Sequence, residues 1–278
     1  MTLALFVLLV MAGSTLAGML GALTGLGGGI VIIPMLTVLF GVNLRYAIGA
    51  SLVAVIATSS GAAAAFVREG YTNIRVGIFL EVATTIGALL GAVLAVYAPT
   101  SLLAVLFGLV LLVTAYSSFR SHAALPSTGP SDPLALRLNL PSTYPGPSGP
   151  TPYGVHRLSL GFGLMFVAGM LSALLGIGSG VVKVLAMDQA MGLPFKVSTT
   201  TSNFMIGVTA AAGAGVYLHR GYVDPTLALP VMLGVLLGAV LGAKLLVRAH
   251  TPHLRQLFTG VVVLLAAEML YKGLTGRL

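Results

Sequence analysis

Long apolar runs, separated by short polar stretches, dominate the chain. The runs reach about 20 residues, which is enough for an α-helix to cross a hydrocarbon core about 30 Å thick. The short alternating segments that mark the strands of a membrane β-barrel are absent. The pattern therefore predicts an all-α membrane protein, built as a polytopic helical bundle.

The two halves of the sequence repeat one another. Sliding the chain by 151 positions aligns them without a gap over about 100 residues, and one register held for that length is typical of a duplication. We expect a first transmembrane repeat over residues 1–120, a linker over 121–157 and a second transmembrane repeat over 158–278. Matching pairs include Gly18 with Gly169, Gly29 with Gly180, Ser51 with Ser202, Thr58 with Thr209, and Gly87 with Gly238.

Each repeat is predicted to contain four hydrophobic segments. The first segment is too long for one helix across the bilayer, and glycines interrupt it. We therefore expect two helical pieces that meet at residues 25–29, and two more that meet at the matching glycines of the second half. The first segments cover 3–40 and 158–191, and the plain spans cover 46–67, 75–98, 101–119, 197–218, 226–248 and 253–272.

The direction of the chain at these glycines decides the topology. If both pieces continue in one direction, the two repeats are parallel, whereas a chain that turns back makes the repeats inverted. The positive-inside rule scores both arrangements equally, with eight Lys or Arg residues on one side and four on the other. Both arrangements place the linker on the cytoplasmic side, and the choice between them stays open at this point.

The linker differs from the rest of the chain in composition. Residues 121–156 hold eight of the fourteen prolines, together with Ser, Thr and Gly, and such a chain cannot satisfy its backbone inside lipid. Within it, residues 134–140 alternate between apolar and other side chains, which permits a short strand. The composition favours an irregular connector over that strand.

The composition also argues against several classes of function. Only 7% of the residues are charged, against roughly 25% in a typical soluble domain. The formal charge of +8 comes from Lys and Arg placed singly between apolar runs, so we expect no nucleic-acid partner. There is no Cys, the five His residues lie at span ends or in the linker, and no nucleophile–base pair has a workable spacing. We therefore expect no metal, no cofactor and no enzyme activity.

The glycine motifs are the first candidates for a binding site. A helix broken at membrane depth leaves backbone N–H groups without partners, and two such breaks related by the repeat could jointly hold one small anion. Close packing of helices through small residues is the alternative interpretation. The candidate substrate contacts are Gly27, Gly28 and Gly29 in the first half and Gly178, Ser179 and Gly180 in the second.

Hydroxyl and amide side chains open the next span of each repeat. In an apolar helix, such groups can donate hydrogen bonds to an oxyanion without the cost of burying a cation. The alternative is that they bond to their own backbone or to a neighbouring helix. The candidates are Ser51, Thr201, Ser202 and Asn203.

Three ionisable residues within the predicted spans are candidates for electrostatic or coupling roles. Lys183 lies three residues past Gly180, one helical turn from the predicted anion site, where it could attract an anion or pair with Asp188. Glu81 could take part in proton coupling, although plain topology or packing is the favoured explanation for this residue.

The glycine motifs also carry a family resemblance. Residues 23–29 read Leu-Thr-Gly-Leu-Gly-Gly-Gly and are followed by Pro34 and then by Gly49-Ala50-Ser51-Leu52. In order and spacing, these residues resemble the first half of the TauE/SafE family of sulfite exporters. The resemblance extends over both repeats, the hydrophilic linker and the short C-terminus.

The resemblance implies a multi-pass protein of a bacterial-type inner membrane that moves sulfite, an organosulfonate such as sulfoacetate, or a related small oxyanion, usually outward. It also implies inverted repeats, which favours a chain that turns back, and a homodimer as one form of assembly. We therefore expect a secondary transporter that exports a small sulfur-containing oxyanion by alternating access, with the anion and membrane lipid as its partners. The alternative is a passive anion channel or a membrane scaffold that acts through residues 121–156.

Overall fold

The fold is a bundle of long helices with a small hairpin between its two halves. A computed structural model describes residues 3–24, 29–68, 70–119, 131–146, 149–246 and 251–276. The first half contains α1 (Leu3–Thr24), α2 (Gly29–Pro34), α3 (Leu44–Arg68), α4 (Ile74–Tyr97) and α5 (Thr100–Phe119). The linker contains α6 (Pro133–Arg137), β1 (Ser142–Gly146) and β2 (Gly149–Tyr153). The second half contains α7 (Leu158–Leu175), α8 (Gly180–Leu185), α9 (Phe195–His219), α10 (Pro225–Leu246) and α11 (Thr251–Thr275).

The long helices follow the apolar runs of the sequence. The six plain spans correspond to α3, α4, α5, α9, α10 and α11, with ends that differ by three residues or fewer. Among the described residues, α4 and α7 are long and apolar enough to cross a membrane by length and composition. One side of α4 exposes Ile78, Val82 and Ile86, as expected of a surface that meets lipid.

The chain reverses direction after α1. The Phe6 ring, near the start of α1, packs edge-on against Phe40 at a centroid distance of 5.7 Å. A Cβ added to Gly13 of α1 would lie 2.6 Å from the sulfur of Met35, which begins a π-helical turn after α2. Residues 29–40 therefore run back along α1. Residues 25–28, which connect the two helices, lie outside the described part of the chain.

The chain also reverses direction after α7. Between α7 and α8, Gly176 has φ +70°, Gly178 has φ +73° and Ser179 has φ +45°, a left-handed path that glycine tolerates best. The backbone N–H of His156, just before α7, donates to the carbonyl of Met191 at 2.9 Å, just after the π-helical turn that follows α8. We call residues 176–180, which end on the first residue of α8, the glycine turn.

Two equivalent backbone contacts join the two halves of the chain. A Cβ added to Gly238 of α10 would meet the backbone oxygen of Thr15 in α1, and a Cβ added to Gly87 of α4 would meet the backbone oxygen of Phe166 in α7. Gly87 matches Gly238 in the repeat, and Thr15 matches Phe166. The absence of a side chain lets the helix backbones approach, so the first helix of each repeat packs on the other repeat.

Matching helices of the two repeats run antiparallel where they meet. On α9, Gly207 faces Ser59 of α3, whereas Gly213, further along α9, faces Leu52, which comes earlier in α3. The order of contacts along one helix is therefore the reverse of the order along the other. α5 and α11 cross in the same sense, with Gly108 on Leu270 and Gly273 on Ser101.

The linker is more regular than the sequence suggests. Asp132 caps α6 by accepting from the backbone N–H of Leu134 at 2.9 Å, and Pro133 occupies the first turn. β1 and β2 then pair as an antiparallel hairpin. The strand considered for residues 134–140 is thus wrong, and so is the irregular connector, because the cap starts a helix there and the strands form further along.

The linker docks on the start of α4. The Asn73 side chain, which also caps α4, donates to the carbonyl of Leu140 at 2.9 Å and to the phenol oxygen of Tyr153 at 2.8 Å. Burial raises the pKa of the Tyr153 phenol, although the hydrogen bond from Asn73 opposes that shift. The phenol is therefore neutral at physiological pH and available as an acceptor.

The variant Gly87→Ala should destabilise the bundle, because the added Cβ would collide with the Phe166 backbone oxygen where α4 crosses α7. We expect a loss of about 1–3 kcal/mol in the free energy of unfolding, seen as a lower melting temperature of the purified protein in detergent. Gly163→Ala is the matched control, since Gly163 lies in α7 with nothing within 4 Å of an added Cβ. Equal melting temperatures would contradict the close crossing.

Candidate functional site

The glycine turn lies against the first half of the chain. The hydroxyl of Ser51 in α3 donates to the carbonyl oxygen of Gly176 at 2.8 Å. A Cβ added to Gly29, the first residue of α2, would lie 3.0 Å from the same carbonyl and 2.9 Å from the Ser51 hydroxyl. The structure thus brings Gly29, Ser51 and the glycine turn together from both halves. The predicted contacts Gly27 and Gly28 lie outside the described residues.

The middle of the glycine turn is enclosed by apolar side chains. A Cβ added to Gly178 would lie 3.2 Å from Val55 and 3.2 Å from Ile206. The next residue, Ser179, is 3% exposed, and its hydroxyl has no hydrogen-bond partner among the described residues. A buried hydroxyl without a partner costs about 1–3 kcal/mol, and an acceptor atom of a ligand would restore the missing bond.

Ser202 also reaches the glycine turn, whereas Thr201 and Asn203 bond to other partners. The Ser202 hydroxyl donates to the carbonyl of Gly180 at 3.3 Å. The Thr201 hydroxyl accepts from the backbone N–H of Asn73 at 3.0 Å, beside the docked linker. The Asn203 amide donates at 3.1 Å to a carbonyl of its own helix. Among these three candidates, the structure places Ser202 at the turn.

A lysine, a threonine and a glutamate form a buried polar chain across the two repeats. Lys183 of α8 is 0% exposed, and its Nζ donates to Oγ1 of Thr209 in α9. Thr209 in turn donates to Oε1 of Glu81 in α4 at 2.7 Å, and Glu81 is 8% exposed. Thr85 donates to the same carboxylate oxygen at 3.3 Å. Because an unpaired charge is very costly in this interior, the ammonium and the carboxylate stabilise each other through the hydroxyl.

The sequence singles out Lys183, Asp188 and Glu81, but it does not show how they combine. Asp188 is buried in the π-helical turn after α8, while the hydrogen bond of Lys183 goes to Thr209. Sequence reasoning missed Thr209 as a site residue. The signal that could have found it is the repeat, which keeps a threonine at the matching position, Thr58.

The described groups are suited to binding. Serine hydroxyls at the glycine turn and the ammonium of Lys183, whose backbone lies one helical turn from it, are groups that can donate hydrogen bonds to a small anion. Within the described ranges, no group of three or more His, Asp or Glu side chains is placed to hold a metal ion.

Comparisons with known proteins find relatives along nearly the whole chain. The family model described as "Sulfite exporter TauE/SafE" matches residues 10–269. "Probable membrane transporter protein YunE" of Bacillus subtilis (strain 168) is 29% identical over 276 residues, covering 97% of this chain and 98% of the relative. YdhB of the same organism, also named a probable membrane transporter protein, is 28% identical over 230 residues, with 82% and 86% covered. A probable membrane transporter protein of Xylella fastidiosa (strain 9a5c) is 26% identical over 235 residues, with 84% and 82% covered. No solved structure matches the chain.

The variant Thr209→Val should destabilise the protein more than the same change at Thr58. Valine keeps the shape of threonine but removes the hydroxyl between Lys183 and Glu81, so we expect a loss of about 1–3 kcal/mol. The hydroxyl of Thr58 donates to the carbonyl of Ala54 in its own helix at 3.1 Å, and Thr58→Val should stay within about 0.5 kcal/mol of wild type. Thermal unfolding in detergent compares the two, and equal shifts would argue against the buried polar chain.

Proposed function

This chain belongs to the TauE/SafE sulfite exporter family and is a membrane transporter, and from that premise we propose that it exports a small sulfur-containing oxyanion, such as sulfite or sulfoacetate. We place it in the cell inner membrane as a multi-pass secondary transporter that works by alternating access. The relatives are likewise named as membrane transporters and not as enzymes.

The observation that carries the proposal is the buried hydroxyl of Ser179. It lies in a left-handed turn that joins two helices, and it is a hydrogen-bond donor without an acceptor among the described residues. A sulfur oxyanion presents several acceptor oxygens in a small volume and would satisfy this donor. The Ser51 and Ser202 hydroxyls lie at the same turn, on the carbonyls of Gly176 and Gly180. They can reorient toward a bound oxyanion, because a hydroxyl rotates to suit its partner.

The charge that favours an anion here is Lys183. Its backbone N–H bonds to the carbonyl of Ser179 at 3.1 Å, so the lysine begins one helical turn from the glycine turn. A buried ionisable residue in a membrane helix is a functional candidate by default. We propose that Lys183 attracts the anion. Thr201 and Asn203 stay predictions, because their hydrogen bonds engage them elsewhere. The proposed contacts are Gly27, Gly28, Gly29, Ser51, Gly178, Ser179, Gly180 and Ser202.

The relation between the two repeats supports the proposal of alternating access. We propose that residues 1–120 and 158–278 are inverted repeats that move against each other, joined by the linker 121–157. The antiparallel crossings of α3 with α9 and of α5 with α11 support this, since helices related by a two-fold axis in the membrane plane run in opposite directions. The reversals of the chain after α1 and after α7 support it as well.

The substrate should raise the melting temperature of the purified protein, because a ligand that binds the folded state stabilises it by mass action. We expect stabilisation of about 2.7 kcal/mol at a hundred times the dissociation constant for at least one of sulfite, sulfoacetate, thiosulfate and sulfate. Taurine, which has a compensating positive charge, should have a smaller effect. The same anion should be transported into proteoliposomes. Absence of flux for every sulfur oxyanion would refute the substrate class.

The same proteoliposomes separate a carrier from a passive channel. In a carrier, unlabelled anion inside the vesicle accelerates the uptake of labelled anion, because the loaded protein reorients in both directions. A channel shows no such acceleration. A scaffold that acts through residues 121–156 shows no flux of either kind.

The variant Gly178→Ala should abolish transport without unfolding the protein. Gly178 has φ +73°, and an added Cβ would press on Val55 and Ile206, so the glycine turn must change shape. Gly221→Ala is the matched control, because Gly221 has φ +74° but open space around it. We expect similar losses of about 1 kcal/mol in stability for both variants, and a fall in flux of at least about tenfold for Gly178→Ala alone. Equal flux in both would argue against this turn as the substrate site.

A further inference from the structure

The buried chain of Lys183, Thr209 and Glu81 is divided between the two repeats. Glu81 belongs to α4 of the first repeat, whereas Lys183 and Thr209 belong to α8 and α9 of the second. A single hydroxyl connects the ammonium to the carboxylate. Any movement of one repeat against the other therefore changes the distance between these two charges.

The packing of the bundle does not itself require these charges. The residue that matches Lys183 in the first repeat is Ile32 of α2, which is equally buried. The residue that matches Glu81 in the second repeat is Met232 of α10. In the first repeat an apolar side chain occupies the position of Lys183, and in the second repeat an apolar side chain occupies the position of Glu81. The role of the charge pair therefore goes beyond packing.

Glu81 and Lys183 are each other's counter-charge. α7, which packs on α4, has no ionisable side chain, and the ionisable residues of α9 are Lys196, Tyr217 and His219, two or more turns from Thr209. Asp188 is buried in the π-helical turn beyond α8, five residues after Lys183. The carboxylate of Glu81 is the acidic group that the described hydrogen bonds connect to Lys183.

An anion carrier with a buried lysine faces a difficulty when it returns without substrate. While an anion is bound, its charge neutralises the ammonium and the site can close. Once the anion has left, a bare ammonium in an apolar interior would be strongly unfavourable. Another negative group has to replace the anion, or the protein cannot pass through its closed state without cargo.

We propose that Glu81 is this internal counter-ion: through Thr209, it takes the place of the substrate on Lys183 during the return step. The inference rests on the proposed function and deepens it. An arriving anion oxygen exchanges with the Thr209 hydroxyl as the acceptor for Lys183, while Glu81 keeps its hydrogen bond from Thr85. When the anion leaves, Thr209 again bridges the two charges. No covalent bond or proton transfer is needed.

The test is the variant Glu81→Gln, which keeps the shape of the side chain and its acceptor oxygen but removes the charge. Exchange of labelled sulfite or sulfoacetate for the unlabelled anion should stay within about twofold of wild type, because the substrate neutralises Lys183 in both directions. Net efflux into anion-free buffer needs the return step without cargo, and it should fall at least about tenfold.

Two further variants control this experiment. Thr58→Val removes a hydroxyl whose hydrogen bond goes to Ala54 of its own helix, outside the chain of Lys183, Thr209 and Glu81, and both fluxes should persist. The double variant Glu81→Met with Lys183→Ile copies the matching residues of the other repeat and should remain folded even if Glu81→Gln does not. In this double variant, the ratio of net efflux to exchange should return to the wild-type value. The substrate concentration that gives the half-maximal rate should be higher than in wild type, because the lysine that attracts the anion is gone.

Each remaining outcome has a definite meaning. Equal losses of exchange and net efflux in Glu81→Gln would overturn the proposal and indicate a structural role. One proton moving with each sulfoacetate in wild type, followed with a pH-sensitive dye inside the vesicles, would overturn it in favour of proton coupling. If wild-type vesicles exchange neither anion, the proposed function itself fails. If wild type exchanges the anion normally and Glu81→Gln keeps the wild-type ratio of net efflux to exchange, the counter-ion proposal fails while the proposed function stands.

Discussion

The close approach of helix backbones between the repeats is the contact on which the rest of the structure depends. At Gly87 and Gly238 a missing side chain lets α4 meet α7 and lets α10 meet α1. Each repeat thereby holds the first helix of the other. Because α7 is fixed in this way, the glycine turn at its end reaches α3. There the Ser51 hydroxyl donates a hydrogen bond to the Gly176 carbonyl. The candidate site is thus a product of the interface and belongs to neither repeat alone.

The apolar interior also determines how polar groups are used. A turn inside an apolar bundle exposes backbone groups that lipid cannot satisfy, so side chains from neighbouring helices must do so. Ser51 and Ser202 serve the carbonyls at the two ends of the glycine turn. The hydroxyl of Ser179, between them, has no hydrogen-bond partner in the part of the chain that the structure describes. The same constraint makes the burial of Lys183 depend on Thr209 and Glu81, which ties it to the position of the other repeat.

The sequence predicted best those features that depend on local runs of residues. The plain spans could be located because the length of an apolar run is a property of neighbouring positions, and the duplication could be read directly. The linker was mispredicted, because a cap at Asp132 and the pairing of β1 with β2 override the alternation of residues 134–140. Thr209 was missed since its importance comes from Glu81 on a different repeat. Counting charges could not decide the topology, whereas contacts between distant helices give the relative direction of α3 and α9 and of α5 and α11.

The proposed counter-ion also determines where the membrane potential acts. In the return step, the ammonium of Lys183 stays paired through Thr209 with the carboxylate of Glu81, so the empty site carries no net charge and the field does little work on it. In the loaded step, the anion adds its own negative charge to these two groups. An inside-negative potential favours the outward movement of each such charge by up to about 2.3 kcal/mol per 100 mV when it crosses the whole field. Export of the anion would then be driven in the loaded step, because the charge pair keeps the returning site neutral. This explains why one half of a duplicated bundle keeps a charge pair that the other half replaces with Ile32 and Met232.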